Sequence, residues 1–325
     1  MLSRVADSVY WLSRYIERAE NVARFVDVHQ SISLGGTHQW APLVYASGDD
    51  DQFDKLYRGF TSTNVLRFLL FDAENPNSIL SCLIKARENA RTIREVLSAA
   101  IWEAINRFYL RVREASQAPE LALQNPANFL ERVKRFSHEF IGVTEATMSH
   151  GDVWNFSRIG RLLERADKTS RIVDVKYYVL LPDPSHVGST LDVVQWSALL
   201  ESTSGLHMYR KRFGRIVHRN VTEFLLLDPH FPRSIRTCVS EAERSLREIT
   251  GNSGPPANPA EQAFSELRTR LDQVSVDEVL NFGLHEFIDT CQLGINDMGG
   301  AMFKTFFEIR PVGQTQSQSQ SQTAN

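Results

Sequence analysis

Apolar residues recur every three or four positions through almost the whole chain, and this spacing predicts an all-helical protein. In the first segment they occupy positions 2, 5, 9, 12, 16, 19, 23 and 26, which predicts one long helix that ends near Gly35 and Gly36. A second stripe from Ile79 to Phe108 predicts a helix of about nine turns, with Ser78 as its N-cap. No run of the sequence alternates like a strand between hairpin turns.

The remaining helices are separated by breaks rich in proline, glycine and polar residues. We expect such breaks at residues 181–184, 228–232 and 252–259, and a polar connector at 117–128. The helices between them are predicted at residues 52–60, 65–71, 129–149, 152–181, 190–202, 233–250, 260–274 and 276–309. Residues 311–325, in which Gln and Ser alternate, predict a disordered tail, and residues 1–310 are predicted to form a single domain.

Two segments of the chain occur twice, in the same order. Residues 14–28 and 161–175 both read Arg, two apolar residues, Glu-Arg-Ala, an acid, and after three positions Arg, an apolar residue and Val-Asp-Val. Residues 68–82 and 224–238 share Phe-Leu-Leu, Asp, Pro, Ser, Ile and Cys at the same spacing, which helix propensity does not explain. The sequence therefore predicts an internally duplicated helical bundle with two pseudo-symmetric halves, about 1–150 and 151–310, whose Arg/Glu helices face each other.

Composition and charge narrow the classes of protein to which the chain can belong. The 325 residues carry a formal net charge of −3, which argues against a nucleic-acid partner. The three cysteines lie far apart, without a Cys-x-x-Cys, and predict buried thiols rather than a zinc site. The amino terminus lacks the apolar core of a signal peptide, and no apolar run is long enough to span a bilayer. We therefore expect a cytoplasmic protein without a membrane partner.

The candidate chemistry lies in rows of charge on the predicted helices. These rows contain Arg14, Glu17, Arg18, Asn21 and Arg24, then Arg161, Glu164, Arg165, Asp167 and Arg171, and on a third helix Arg87, Asn89 and Arg91. One interpretation is a partly buried network of Glu–Arg pairs that fixes how the helices pack. Another is an arginine-lined cavity for an anionic ligand or a peptide carboxylate, and a third is a solvated face.

Other kinds of site find no support in the sequence. There is no Glu-x-x-His or His-Glu-x-x-His motif for a metal, and no glycine-rich loop for a nucleotide. His285 and Asp289 lie four residues apart, but a lone pair of this kind is usually structural. We therefore expect neither a metal nor a cofactor in this chain.

The motifs resemble those of the bacterial alpha-E domain family over nearly the whole chain, from Met1 to about Ile309. The resemblance rests on the opening 24 residues and on Ala86–Arg91, Gly160–Asp167, Phe224–Asp228 and Phe231–Ser234. It departs from the family at Ser13, where glycine is common. The resemblance implies an all-helical protein that works beside, or fused to, a circularly permuted ATP-grasp protein, often with a transglutaminase-like protein. ATP and magnesium would then bind only to the ATP-grasp partner, which would carry out amide ligation.

Three hypotheses of function follow from these observations. In the first, the chain is an accessory protein that binds a peptide or an acidic small molecule, with Arg18, Arg24, Arg165 and Arg171 as the carboxylate or phosphate ligands. In the second, it is an acyl or aminoacyl transferase in which Glu17 or Glu164 is the general base, and this requires a raised carboxyl pKa in a cleft. In the third, it is a scaffold in which every repeated arginine is paired and no cavity remains.

Overall fold

The computed structural model describes residues 3–33, 40–180 and 189–308, and the side chains of these residues except 31–33, 46 and 175–180. Every regular element within these ranges is helical, as predicted. The α-helices are α1 (Ser3–Ser33), α2 (Ala41–Ser47), α3 (Asp50–Leu56), α4 (Ser62–Leu70), α5 (Ile79–Thr92), α6 (Ala99–Gln117), α7 (Glu120–Gln124), α8 (Ala127–Thr147), α9 (Asp152–Leu180), α10 (Thr190–Ser202), α11 (Leu206–Phe213), α12 (His218–Thr222), α13 (Ile235–Thr250), α14 (Pro259–Gln273), α15 (Val276–Phe282) and α16 (Leu284–Met302). Helices α12 and α16 each continue into one wider π-helical turn, at Glu223–Leu227 and Phe303–Phe307.

The two longest helices, α1 and α9, pack against each other at the centre of the bundle. Helix α1 also contacts α5 and α8, and α9 also contacts α13 and α16. The stripe predicted on α1 is the buried one, because its described members from Val5 to Val26 are all in the core. The charged face of α1 is buried as well, because Glu17, Glu20 and Arg24 are at most 3% exposed, so other helices enclose α1 on both faces.

Helices α1 and α9 approach so closely that a side chain does not fit at Gly160. A Cβ built on Gly160 would lie 2.3 Å from the backbone oxygen of Tyr10. One turn away from this contact, the hydroxyl groups of Ser13 and Ser157 share a hydrogen bond of 2.7 Å. Small residues at these positions let the two backbones meet, which brings the charged side chains of both helices within reach of each other.

The predicted helix from Ile79 to Phe108 is wrong, because the chain forms two helices there. Ser78 caps α5 as expected, accepting a hydrogen bond from the Ser81 amide. Helix α5 then ends at Thr92, and Ser98 accepts a bond from the Ile101 amide and so caps a new helix, α6. The apolar stripe continues across the break because α5 and α6 fold back on each other and bury matching faces.

The predicted helix at 276–309 is also divided, at Gly283. The backbone of Gly283 has φ +111° and ψ 123°, which L side chains rarely adopt and which ends α15. The short helices α2, α7, α11 and α12 were not predicted, and the helix predicted at 52–60 lies at Asp50–Leu56. Gly35, Gly36 and the predicted tail at 311–325 lie outside the described residues.

Two further expectations can be compared with the structure. Cys82, Cys238 and Cys291 are free and buried, as predicted, and burial raises the pKa of each thiol to about 12. Among the described helices, none combines the length and the apolar character that a membrane span requires.

Candidate functional site

A layer of buried ion pairs joins α1 to α9. Glu164 of α9 accepts hydrogen bonds from Arg14 Nε at 2.9 Å and from Arg18 Nε at 2.6 Å. Glu17 of α1 accepts two from Arg165, at 2.9 and 2.8 Å. The carboxylates are fully buried, so each depends on arginines of the opposite helix for its counter-charge.

The contacts of this layer recur with the partners exchanged. Glu17 and Arg18 of segment 14–28 are equivalent in sequence to Glu164 and Arg165 of segment 161–175. Each glutamate pairs with the arginine of the other segment. The close approach recurs in the same way, because Tyr10 meets Gly160 while their counterparts Ser157 and Ser13 meet each other. This reciprocal pattern is the one that a twofold relation between the two helices produces.

A second carboxylate of α1, Glu20, extends the layer on one side. Its Oε1 accepts a hydrogen bond from Arg24 Nε at 2.8 Å, and Ser137 donates to its Oε2 at 2.6 Å. Arg233, which precedes α13, bonds to both Glu20 and Glu17. Burial lowers the pKa of Arg233 to about 10, since the guanidinium groups around it offset the attraction of the carboxylates.

The arginines lower the pKa of the layer's carboxyl groups. Burial alone would raise the pKa of Glu164, but Arg18, Arg14 and Lys168 outweigh it and hold that pKa well below its usual value of 4.5. The pKa of Glu17 is lowered in the same way, against burial, by Arg165 and Arg233. Both candidate bases are therefore ionised and already bonded to arginine.

We expect these lowered pKa values to give the protein an acid-sensitive stability. A carboxyl group whose folded-state pKa lies below its unfolded value of 4.5 stabilises the fold above pH 4.5, and this contribution is lost as the pH falls through the folded-state pKa. Urea unfolding between pH 7 and pH 3 should therefore show a free energy of unfolding that declines below about pH 4.5. The decline should be smaller in Glu164→Gln, and equal slopes in the two proteins would contradict this assignment.

A cavity lies beside the layer, between α1, α9 and the turn that follows α2. We call it the α1/α9 cavity. It encloses about 30 Å³, enough for about two water molecules or the polar head of a ligand. Its lining residues are Arg18, Val22, Phe25, Leu43, Ser47, Asp49, Leu69, Asn77, Lys168 and Arg171. Three of these side chains are cationic. Arg18 and Arg171 belong to the predicted charge rows, and Lys168 lies between Asp167 and Arg171 on α9.

The cations of the cavity are held by carboxylates on α9. Lys168 Nζ lies 2.8 Å from an Asp167 oxygen, and Arg171 Nε lies 3.2 Å from the same carboxylate. Burial would raise the pKa of Asp167, but Lys168 and Arg171 lower it below the usual value. Gly48, with φ +76°, leaves room for Arg171, because a Cβ there would lie 3.2 Å from Arg171 Nη1.

Asp49 is the acidic residue of the cavity. It is only 8% exposed, its Oδ1 accepts a hydrogen bond from Asn77 Nδ2 at 2.7 Å, and its Oδ2 is buried without a hydrogen-bond partner. Asp49 makes no ion pair with a described residue, although Arg18, Lys168 and Arg171 line the same space. The Asn77 side chain connects Asp49 to the cations of the cavity, since its Oδ1 accepts a hydrogen bond of 2.8 Å from Arg18.

The structure brings together most of the predicted site residues. The ion-pair layer contains Arg14, Glu17, Arg18, Asn21, Arg24, Glu164 and Arg165. Arg171 lines the cavity, and Asp167 is its counter-ion. Arg161 is set apart, because it makes no hydrogen bond or ion pair with a described residue and lines a small pocket near Trp154. Burial and Arg165 lower its pKa.

The three predicted residues of α5 do not belong to either group. Arg87 Nε bonds to Asn106 of α6 at 2.8 Å, and Asn89 bonds to a carbonyl of its own helix. Arg91 is two-thirds exposed and pairs with Glu88. These residues join α5 to α6 or face solvent, so we do not include them in the candidate site.

One group of side chains outside this site has ligand types that a metal ion could use. The ligand atoms of Asp174, His285 and Asp289 all lie within 4.8 Å of one another. His285 Nδ1 is 2.7 Å from Asp174 and joins α16 to α9, as the structural interpretation of His285 requires. This hydrogen bond raises the pKa of His285 and outweighs burial, which would lower it.

Five residues of the site were missed in the sequence, namely Glu20, Asp49, Asn77, Lys168 and Arg233. Repeat alignment could have identified four of them, Lys168 among them as the counterpart of Asn21. Glu20 is the counterpart of Asp167, and Asn77 and Arg233 occupy equivalent positions directly before the cap serines Ser78 and Ser234. Asp49 had no such signal, because it lies in a turn between two short helices.

Comparison with known proteins gives a family but no known activity. A family model described as a predicted alpha-helical domain with a conserved ER motif matches residues 1–307. The chain is 23% identical over 297 residues to the uncharacterized protein Mb2597 of Mycobacterium bovis and to the uncharacterized protein MT2643 of Mycobacterium tuberculosis. These matches cover 85% of this chain and 33% of each relative, so the chain spans about a third of the length of these curated relatives. No solved structure matches the chain significantly.

Proposed function

Because the chain belongs to the Alpha-E family, we propose that it is the substrate-binding, non-catalytic component of an ATP-grasp-linked amide-ligation or peptide-modification system. In this proposal the chain works in the cytoplasm and holds a peptide or an acidic small molecule for a circularly permuted ATP-grasp protein. ATP and magnesium bind to that partner, and a transglutaminase-like protein is a further candidate partner.

The α1/α9 cavity is the observation that carries the proposal. Arg18, Lys168 and Arg171 concentrate positive charge around a space that a carboxylate or phosphate can enter. The cavity is lined on its other sides by apolar residues such as Phe25 and Leu43, which reduce the competition from water. A carboxylate bound there would meet fixed cations rather than mobile surface lysines.

We also propose that the two halves arose by duplication and that only one kept an open site. The exchanged contacts of the ion-pair layer support a pseudo-twofold relation. On one side of it, Arg24 and Arg233 close around Glu20, and Arg24 Nη1 bonds to the backbone oxygen of Ser202 at 2.6 Å. On the other side the equivalent positions are Arg171, Asn77 and Asp167. Arg171 and Asn77 line the cavity, and Asp167 pairs with Arg171.

Two observations support a role beside another protein. The curated relatives are about three times as long as the matched region, so in them this unit is joined to other sequence. Helix α10 also exposes Leu191, Val193 and Val194, and exposed apolar residues that lie together are typical of surfaces that contact another protein.

The alternatives receive less support from the geometry. A transferase that uses Glu17 or Glu164 as a base needs a raised carboxyl pKa, whereas both pKa values are lowered and both side chains are saturated by arginine. A pure scaffold needs every repeated arginine to be paired, whereas Arg161 is unpaired among the described residues and the cavity remains.

The test is gentle purification of the full chain from its native bacterium, with mass spectrometry of co-purifying proteins and released small molecules. We expect an ATP-grasp protein in near-stoichiometric amount and an acidic metabolite or peptide. In Lys168→Gln the small molecule should be lost while the protein partner remains, because Lys168 lines the cavity and Asp167 keeps Arg171 as its counter-ion. Arg91→Gln, in an exposed pair, is the control and should retain both. Recovery of the chain without either companion would refute the proposal.

A further inference from the structure

The α1/α9 cavity contains hydrogen-bonding groups of two opposite kinds that the protein leaves unused. The first is Asp49 Oδ2, a buried acceptor without a partner, while the other oxygen of the same carboxylate is bonded to Asn77. A buried, charged oxygen that lacks a donor destabilises the protein until a donor reaches it. The group that satisfies it best is a cationic N–H donor, because the Asp49 carboxylate has no cationic partner among the described residues.

The second unused group is the guanidinium fork of Arg171. Its Nε donates to Asp167, but neither of its terminal nitrogens makes a hydrogen bond with a described residue. Lys168, which lines the same cavity, is anchored to Asp167 at 2.8 Å and has further ammonium hydrogens available. A planar guanidinium fork next to an ammonium group is the arrangement that proteins use to bind a carboxylate.

In the other half of the molecule, the equivalent guanidinium group has hydrogen-bond acceptors for its terminal nitrogens. Arg24 holds the position equivalent to Arg171 and pairs with Glu20 as Arg171 pairs with Asp167. Its Nη1, however, donates to the Ser202 carbonyl at 2.6 Å and to Ser204 Oγ at 2.9 Å. The protein itself thus supplies the acceptors at Arg24, whereas at Arg171, whose side chain is 26% exposed, they come from water or from a ligand.

We propose that the α1/α9 cavity binds the zwitterionic head of a free α-amino acid. The α-ammonium group donates to Asp49 Oδ2, and the α-carboxylate accepts from the terminal nitrogens of Arg171 and from Lys168. The cavity, with room for about two water molecules, admits such a head but no side chain beyond it, which makes glycine the simplest ligand. This inference rests on the proposed function and specifies its substrate, an amino acid whose amine or carboxylate an amide-forming partner would use.

The head-group assignment is tested with glycine and with two analogues, each of which lacks one of the two charges of glycine. The full chain is titrated with glycine, N-acetylglycine and glycinamide, and binding is followed by the shifts of amide and arginine Nε signals in ¹H–¹⁵N spectra. Glycine should bind at least about tenfold more tightly than either analogue, because each analogue removes one charge-assisted contact. Asp49→Asn should weaken glycine binding by a similar factor and leave N-acetylglycine unchanged, whereas Arg171→Gln should weaken both. Arg91→Gln is the matched control on an exposed arginine, and melting of each variant verifies that it folds.

The outcomes separate this inference from the proposed function. Equal binding of glycine and N-acetylglycine, with no effect of Asp49→Asn, would overturn the zwitterion and leave an anion site that still serves the proposed function. If no probe binds while the purification described above releases an acidic compound, the head-group assignment alone fails. If glycine binds selectively but no ATP-grasp protein co-purifies, the inference stands and the proposed partnership fails.

Discussion

Glu164→Gln is expected to lower the free energy of unfolding by about 3–5 kcal/mol, the usual cost of removing one member of a buried ion pair. The Glu164 side chain is completely buried and is the counter-ion of both Arg14 and Arg18. Glutamine keeps the shape but leaves two guanidinium groups without a counter-charge. Arg14 and Arg18 remain 15% and 16% exposed, so some rehydration places the effect toward the lower end of this range. Chemical denaturation at pH 7 measures the loss, and Glu17→Gln should behave similarly.

The matched control for this prediction is Glu88→Gln, which breaks an exposed pair. Glu88 is half exposed and its partner Arg91 two-thirds exposed, so the change should stay within about 0.5 kcal/mol. If Glu164→Gln shifted the unfolding midpoint no more than Glu88→Gln does, the ion-pair layer would not be a stabilising element of the fold.

Gly160→Ala is expected to destabilise the protein by about 3 kcal/mol, at the upper end of what overpacking usually costs. The added Cβ would lie 2.3 Å from the Tyr10 oxygen and 3.0 Å from its carbonyl carbon, and both are backbone atoms that no rotamer change can move. Helices α1 and α9 would have to separate, which would also lengthen the hydrogen bonds between their charged side chains. Thermal melting and urea unfolding both measure the loss.

Gly142→Ala in α8 is the control, because the Cβ built there meets nothing within 4 Å. Alanine in an exposed helix interior should instead stabilise the protein by about 0.5–1 kcal/mol relative to glycine. If the two substitutions had similar effects, helix propensity rather than the close contact of α1 and α9 would determine the role of Gly160.

Local sequence patterns were sufficient to predict the helical class and the facing Arg/Glu helices. The three-to-four periodicity identified the buried face of α1, and the repeated Glu-Arg-Ala segment identified the residues that meet across the bundle. The prediction of one continuous helix at 79–108 was wrong because apolar periodicity reports only which residues are buried. Two helices that fold back on each other can continue the same periodicity. Ser98, which caps α6, was the available sign of that break.

The cavity was harder to predict because it depends on a chain segment with little pattern of its own. Asp49 follows Gly48 in the turn between α2 and α3, two helices of seven residues each. Helices this short give weak periodicity, and the side chains that surround Asp49 come from residues far away in the sequence. The charge rows of α1 and α9 predicted Arg18 and Arg171 as site residues. That Asp49 lies in the same cavity could be learned only from the tertiary structure.

The crosswise pairing of the ion-pair layer also has a consequence for how the chain folds. Arg18 and Glu164 are 146 positions apart along the chain, and Arg165 and Glu17 are 148 apart. Within α9, Lys168 Nζ lies 3.8 Å from Glu164, but the arginines that hydrogen-bond to Glu17 and Glu164 all come from the other half of the chain. These pairs therefore form only when the two ends of the domain meet. Contacts of such long sequence separation form late and slow the rate-limiting step. Because each half lacks these arginine counter-charges until it meets the other, we expect the two halves to unfold together in one transition.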